Sequence, residues 1–252
     1  MDAVIALLTV AMLSVTNLTW HDATRDRDIP VKIYAPTGAT NAPLIVFSHG
    51  LGGTREGYAY LSQHWASNGY ISVHVQHLGS DDVTWRGKSD RLGSMRQAVT
   101  AENARNRPID ISFTITQMLG DPRVNTNVIG VAGHSFGAQT TLLIIGETVL
   151  GKSYRDQRVS AAISMSSGSM TPSSFRAVTT PCLHLTGTKD QGIVITDIKS
   201  VDRRFAFDNI SAPGRCLITL NNATHMTFAG AGTTTHLDLI RETHHQVLEC
   251  LP

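Results

Sequence analysis

The sequence predicts an α/β fold, with a mostly parallel central sheet covered by helices on both faces. Three observations carry this expectation. Short β-branched apolar runs alternate with longer helix-like stretches along the chain, without repeats or low-complexity segments. Gly133-His134-Ser135-Phe136-Gly137 has the G-x-S-x-G spacing of a sharp turn between a strand and a helix. Finally, 252 residues of which 41% are hydrophobic suffice for one large domain, taken as residues 1–252.

The elements follow in order. Residues 1–13 are apolar but too short for a spanning helix and lack the basic start of an export signal. They read as a docking segment or an edge strand leading into Ser14–Trp20, with a signal remnant within residues 1–18 as the alternative. Localisation stays open between the cytoplasm and an exported state. Leu44–Phe47 is an apolar strand, and Gly57–Ser67 is a helix stopped by Asn68-Gly69. Tyr70–His77 is a strand. Leu78–Arg107, polar and rich in Asp, Arg and Ser, reads as the longest irregular stretch, and Pro108 as the start of a helix that runs to Leu119 and stops at Gly120. The strand Asn127–Ala132 enters the glycine-rich turn, and Ala138–Ile145 leaves it as a buried helix. Ala161–Ser167, Thr180–Lys189 and the run from Arg215 read as further strands.

The context of the turn makes Ser135 the candidate nucleophile, because Gly133 and Gly137 allow a strained serine backbone where strand and helix lie close. Ser48-His49-Gly50-Leu51-Gly52-Gly53 closes the strand before it. The Leu51 and Phe136 N–H groups are the expected oxyanion donors, each worth about 3 kcal/mol to a developing negative oxygen. Asp190 ends one later strand, and His225 lies behind the next. The order serine, acid, histidine is that of an α/β-hydrolase, in which His225 takes the serine proton and Asp190 fixes its tautomer. Asp202 and Asp208 are rival acids, but neither directly ends an apolar strand. His184 lies within a strand, and His244-His245 fall in a polar terminal helix pattern. His74, His77 and Asp81 could be imagined around a metal, yet three residues apart on a strand puts the two histidines on opposite faces. No metal and no cofactor is expected. Gly50, His77, Trp85, His134, Ser166 and Met226 are expected near the substrate pocket, with Trp85 either flanking it or capping the core.

These residues resemble the dienelactone hydrolase branch of the α/β-hydrolase superfamily. The likeness rests on Ser48–Gly53, Gly133–Ala138, Gly187-Thr188-Lys189-Asp190 and Ala223-Thr224-His225, and is more distant to platelet-activating-factor acetylhydrolases and cutinase-like polyester hydrolases. It extends from Thr19 onward, with Trp20–Ala23 and Ile29–Pro36 similar to the first hairpin of those enzymes. Dienelactone hydrolases carry a cysteine where Ser135 stands, which favours ester over lactone chemistry. The acetylhydrolases place their acid after the preceding strand, where Ala161–Ser167 has no carboxylate. The polyester hydrolases usually have a methionine after the nucleophile and a tryptophan near that same loop, where Phe136 and Gly168 stand.

The resemblance implies a serine carboxylic-ester hydrolase acting on short-chain, aromatic or accessible polymeric esters, and the segments between Ser167 and Pro181 and between Asp190 and His225 are too short for a separate lid domain. A serine peptidase or amidase and a non-catalytic relative of the fold are the alternatives. A formal charge of +1 without Lys/Arg runs argues against nucleic acid or an anionic membrane surface as partner. Cys182, Cys216 and Cys250 lack metal-type spacing, and the first two are expected as small buried thiols.

Overall fold

The computed structural model describes residues 12–168, 171–193, 197–230 and 246–251, the last of these by their backbone alone. Eleven strands and five α-helices lie among the described residues. The strands are β1 (Leu13–Asp22), β2 (Arg27–Pro36), β3 (Ala42–Ser48), β4 (Ile71–Val75), β5 (Val124–His134), β6 (Thr148–Val149), β7 (Lys152–Ser153), β8 (Ala161–Met165), β9 (Cys182–Lys189), β10 (Arg215–Thr224) and β11 (Gln246–Leu251). The helices are α1 (Ala59–Ser67), α2 (Arg91–Gln97), α3 (Ala101–Met118), α4 (Phe136–Ile145) and α5 (Phe205–Asn209).

Nine strands form one sheet in the order β1-β2-β4-β3-β5-β8-β9-β10-β11, and β6-β7 form a separate small hairpin. The pairs from β4 to β10 are parallel, whereas β1/β2, β2/β4 and β10/β11 are antiparallel. The alternation of side chains across each strand feeds two apolar layers. Leu44 and Val46 of β3 pack with Ile111 and Ile115 of α3 and Leu142 of α4, while Ile45 and Phe47 pack with Tyr58, Ala132 and Phe228 on the other face. That two-sided burial explains why the parallel strands read as unbroken apolar runs. Because β3, β5, β8, β9 and β10 are parallel, the turns after all five open on the same edge of the sheet.

Three sequence expectations need correction. The stretch 78–107 is less irregular than its polarity suggests: it holds a short 3-10 turn (Asp82–Thr84), α2 and the first turns of α3. Pro108 therefore lies inside α3 rather than at its start. The Thr100 hydroxyl caps that helix by accepting the Asn103 N–H at 3.0 Å, and Arg107 and Asp110 turn inward to buried partners, which explains both the polar sequence and the helix extending past a proline. Cys216 is disulfide-bonded and lies opposite Cys250 in the β10/β11 register, so the expected buried thiol is realised only by Cys182, whose burial pushes it up to about 12. The edge strand expected near Ser14–Trp20 is β1, while residues 1–11 and His244-His245 lie outside the described residues.

Candidate active site

The turn after β5 places Ser135 at φ 57° and ψ −116°, a strained left-handed conformation for a residue with a Cβ. Two glycines make the turn feasible. A Cβ on Gly133 would lie 2.2 Å from the Gly137 carbonyl oxygen, and one on Gly137 would lie 1.9 Å from the Ser48 carbonyl oxygen. The start of α4 is thus pressed against the end of β3. The Ser135 N–H donates to the Met165 carbonyl at 2.9 Å, which fixes the turn to the neighbouring strand as well.

His225 and Asp190 arrive from the two strands beyond. The β9/β10 register shifts between Leu220 and Thr224, and His225 opens a 3-10 turn directly after β10. Its Nε2 lies 2.9 Å from Ser135 Oγ, and its Nδ1 lies 2.9 Å from Asp190 Oδ1. Asp190 is fully buried and accepts three further contacts: the Ser166 hydroxyl at 2.6 Å, the Thr186 hydroxyl at 3.0 Å and Arg203 Nε at 3.2 Å. Burial works to raise its carboxyl, but the His225 hydrogen bond, the Arg203 charge and Ser166 outweigh it and hold the group below the usual carboxylate range. Ser135 is half-buried, and Met226 beside the histidine is 41% exposed. Solvent can therefore reach this serine.

The loop after β3 faces Ser135. A Cβ on Gly50 would lie 3.4 Å from the Ser135 Cβ, and Gly50 itself is buried. Among the described residues neither the Leu51 nor the Phe136 N–H donates to another group of the chain. Trp85 is half-exposed and donates its indole N–H to the Gly52 carbonyl at 2.8 Å, so it braces this loop rather than capping the core.

Three expected pocket residues serve other purposes. His134 is buried, and its Nε2–H donates to the His225 carbonyl at 3.0 Å, which leaves Nδ1 to accept the Tyr58 hydroxyl at 2.7 Å. Burial and the neighbouring His225 push it down to about 3, so it stays neutral and ties the turn to the histidine loop. Ser166 is buried beneath Asp190. His77 is also buried, with Nδ1 donating to Asp110 Oδ2 at 3.0 Å and Nε2 accepting the Ser48 hydroxyl at 2.9 Å.

Ser48, His77 and Asp110 thus form a second serine–histidine–carboxylate chain. Exposure separates the two. Ser48 is 1% exposed and His77 and Asp110 are 0% exposed, and Ser48 Oγ already accepts Arg107 Nη2 at 3.1 Å, so no carbonyl can approach it. No local pattern links the members of this buried chain, because they lie on β3, the loop after β4, and α3.

The metal grouping around His74 is not assembled. His74 Nδ1 donates to the Gly57 carbonyl at 2.9 Å while its Nε2 accepts the Ser62 hydroxyl, and Asp81 accepts Gln76 Nε2 at 2.8 Å. Among the described residues no cluster of three His, Cys, Asp or Glu side chains is spaced to hold a metal. The rival acids are engaged elsewhere: Asp202 accepts the Lys199 N–H, and Asp208 pairs with Arg204.

The family model described as platelet-activating factor acetylhydrolase, isoform II, matches residues 8–83, ending before the Ser135 turn. A platelet-activating factor acetylhydrolase from Canis lupus familiaris is 25% identical over 235 residues, covering 77% of this chain. The chain spans about half of that relative's length, 49%. A solved ferulic acid esterase from Streptomyces cinnamoneus superposes with a TM-score of 0.65 at 21% identity, covering 89% of this chain and 78% of the other. A putative dienelactone hydrolase from Klebsiella pneumoniae subsp. pneumoniae MGH 78578 reaches a TM-score of 0.73 at 12% identity, with 92% and 95% covered. A cold-adapted esterase from an Arctic intertidal metagenomic library gives 0.61 at 13% identity, with 84% and 86% covered. With its central sheet, its serine turn after β5 and these structural likenesses, the chain is an α/β-hydrolase in fold.

Proposed function

We propose that this chain is a serine carboxylic-ester hydrolase acting through an acyl-enzyme, built as one domain, with Ser135, His225 and Asp190 as its triad. The observation that carries the reading is the continuous contact from half-exposed Ser135 through His225 to buried Asp190, at 2.9 Å and 2.9 Å. The names of the relatives, an acetylhydrolase and two esterases, support the same class.

In this mechanism Ser135 Oγ attacks the ester carbonyl carbon as its proton passes to His225 Nε2. The carbonyl oxygen becomes negative and is met by the Leu51 and Phe136 N–H groups, which among the described residues have no partner to give up. Collapse of this intermediate breaks the bond to the alkoxy oxygen, which takes the proton from His225 and leaves as the alcohol. Water then repeats the sequence on the acyl-serine, releasing the acid and restoring Ser135. Asp190, held ionised, keeps the His225 proton on Nδ1 so that Nε2 is free to accept.

The exposed Met226 and the half-exposed serine favour short-chain, aromatic or accessible polymeric esters, and among the described residues no helix is long and apolar enough to cross a membrane. A series of p-nitrophenyl esters of increasing acyl length, with p-nitroanilides beside them, tests the reading. Hydrolysis of short esters well above the anilides supports it. Absence of turnover, together with no labelling by a fluorophosphonate, overturns it in favour of a non-catalytic relative.

A further inference from the structure

Arg107 is the largest fully buried side chain among the described residues, 1% exposed, and the triad does not use it. It projects from α3 into the space between the end of β3 and the start of α4. Its Nη2 donates to the His49 carbonyl and, at 3.1 Å, to Ser48 Oγ. Nη1 donates to Ser80 Oγ at 2.8 Å, and Nε donates to Thr140 Oγ1 at 3.0 Å. The guanidinium carbon lies 4.5 Å from the centre of the Phe136 ring.

These contacts converge on both proposed oxyanion donors. The His49 carbonyl and the Gly50 N–H belong to one peptide plane, and the Gly50 N–H donates to the Tyr58 hydroxyl at 3.4 Å. The Leu51 N–H lies in the following plane with the Gly50 carbonyl, which accepts the Gly53 N–H at 3.0 Å and the His49 Nδ1–H at 2.6 Å, so Arg107 holds the residue and the plane on which that N–H is built. On the other side, the Thr140 hydroxyl that accepts Arg107 Nε donates in turn to the Phe136 carbonyl at 2.9 Å, while the guanidinium covers the Phe136 ring. Ser80 extends the hold, since its carbonyl accepts the Gly52 N–H at 2.9 Å. One planar fork therefore grips the loop carrying Leu51 and the turn carrying Phe136 together.

We propose that Arg107 is a positioning residue for ester hydrolysis, fixing the two oxyanion donors relative to each other. The proposal rests on the reading of Ser135 and the Leu51/Phe136 pair given above. A guanidinium suits the task because it donates in several fixed directions at once, whereas an ammonium in the same space would serve one side of the gap and release the other. A misplaced donor penalises the tetrahedral intermediate far more than the bound ester, so the deficit falls on kcat rather than KM.

The experiment compares wild type, Arg107→Lys, Thr140→Val and Ser135→Ala on p-nitrophenyl acetate, with inhibition by phenylboronic acid as a tetrahedral probe. Arg107→Lys is expected to lower kcat by about tenfold or more with KM changed by less than about threefold, and to weaken phenylboronic acid by a factor similar to the loss in kcat/KM. Thr140→Val, which keeps the buried charge but cuts the link to Phe136, is expected to shift the same quantities in the same direction by less. It decides on the same criteria if the lysine variant does not fold. A kcat within twofold of wild type, or a loss of kcat with phenylboronic acid affinity unchanged, overturns the positioning role. Hydrolysis surviving in Ser135→Ala overturns the underlying reading instead, so the two failures are distinct.

Discussion

Nη2 of Arg203 lies 3.1 Å from Nδ1 of His225, the same nitrogen that meets Asp190 Oδ1 at 2.9 Å. A histidine nitrogen thus sits between a carboxylate and a guanidinium that themselves form an ion pair, with Arg203 Nε 3.2 Å from Asp190 Oδ1. Arg203 is anchored independently of the triad, because Nη1 donates to the carbonyls of Ser166 and Ser167 at 3.0 and 3.1 Å. A guanidinium can only donate, so it competes for a bare Nδ1 and is indifferent to a protonated one. The carboxylate is what keeps the proton there.

Replacing that carboxylate removes the preference. In Asp190→Asn the amide and Arg203 would both offer hydrogens to Nδ1, driving the histidine proton to Nε2 and disabling it as a base. We expect kcat to fall by about 10⁴, the size of loss known for this substitution in a serine protease. Steady-state kinetics of Asp190→Asn beside Asp202→Asn and Asp208→Asn settles the matter: comparable losses in either of the latter would move the acid.

The two serine–histidine–carboxylate chains differ in a directly measurable way. A fluorophosphonate should bond to Ser135 and not to Ser48, as read by mass spectrometry of the labelled peptide, and Ser135→Ala should lower turnover by about 10⁴ to 10⁶. Label on the peptide containing Ser48 would reverse the assignment.

Much of this arrangement was readable from sequence because chemistry and backbone coincide there. Gly133, Ser135 and Gly137 declare the turn, since a Cβ at either glycine would lie 2.2 Å or 1.9 Å from a facing carbonyl oxygen. Asp190 and His225 each follow an apolar run, and the structure brings both to Ser135. The inward-facing polar residues were not readable. Arg107 and Asp110 on α3, His134 within the turn and Ser166 below Asp190 are polar in sequence yet buried, because their partners come from distant elements that no local pattern links. The same blindness made 78–107 look irregular and made Pro108 look like a helix start.

Buried neutral histidines make the fold acid-sensitive. Burial pushes His74 and His134 down to about 3 and His77 and His184 down to about 4, each below the ordinary value of 6.5. Between those values the unfolded chain binds protons that the folded chain refuses. Stability is therefore fully present above about pH 6.5 and is lost as pH falls toward 4, at up to about 1.4 kcal/mol per pH unit for each histidine. Among the described residues neither ring nitrogen of His184 has a hydrogen-bond partner, and its ring packs edge-on to Phe207. His184→Leu should raise the urea midpoint at pH 5 more than at pH 8; an equal shift at both would detach His184 from the acid transition.

Gly137→Ala tests the contact between α4 and β3. Its Cβ would meet the Ser48 main chain, which cannot rotate away, so the loop carrying Leu51 must shift. The expected result is a lowered melting temperature, by an amount matching about 1–3 kcal/mol of overpacking, together with a loss of kcat on p-nitrophenyl acetate exceeding tenfold. An unchanged kcat would separate the β3 loop from catalysis.

The turn bearing Ser135, the end of β9 and the loop after β10 are carried by parallel strands of one sheet, which are distant from one another in sequence. Such pairings form slowly, because the intervening chain must be closed before they are rewarded. We expect the contacts among Ser135, His225 and Asp190 to be among the last completed as the chain folds. During refolding from denaturant, recovery of ester turnover should lag behind the return of helical circular dichroism, making hydrolysis a clock for the final assembly of the sheet.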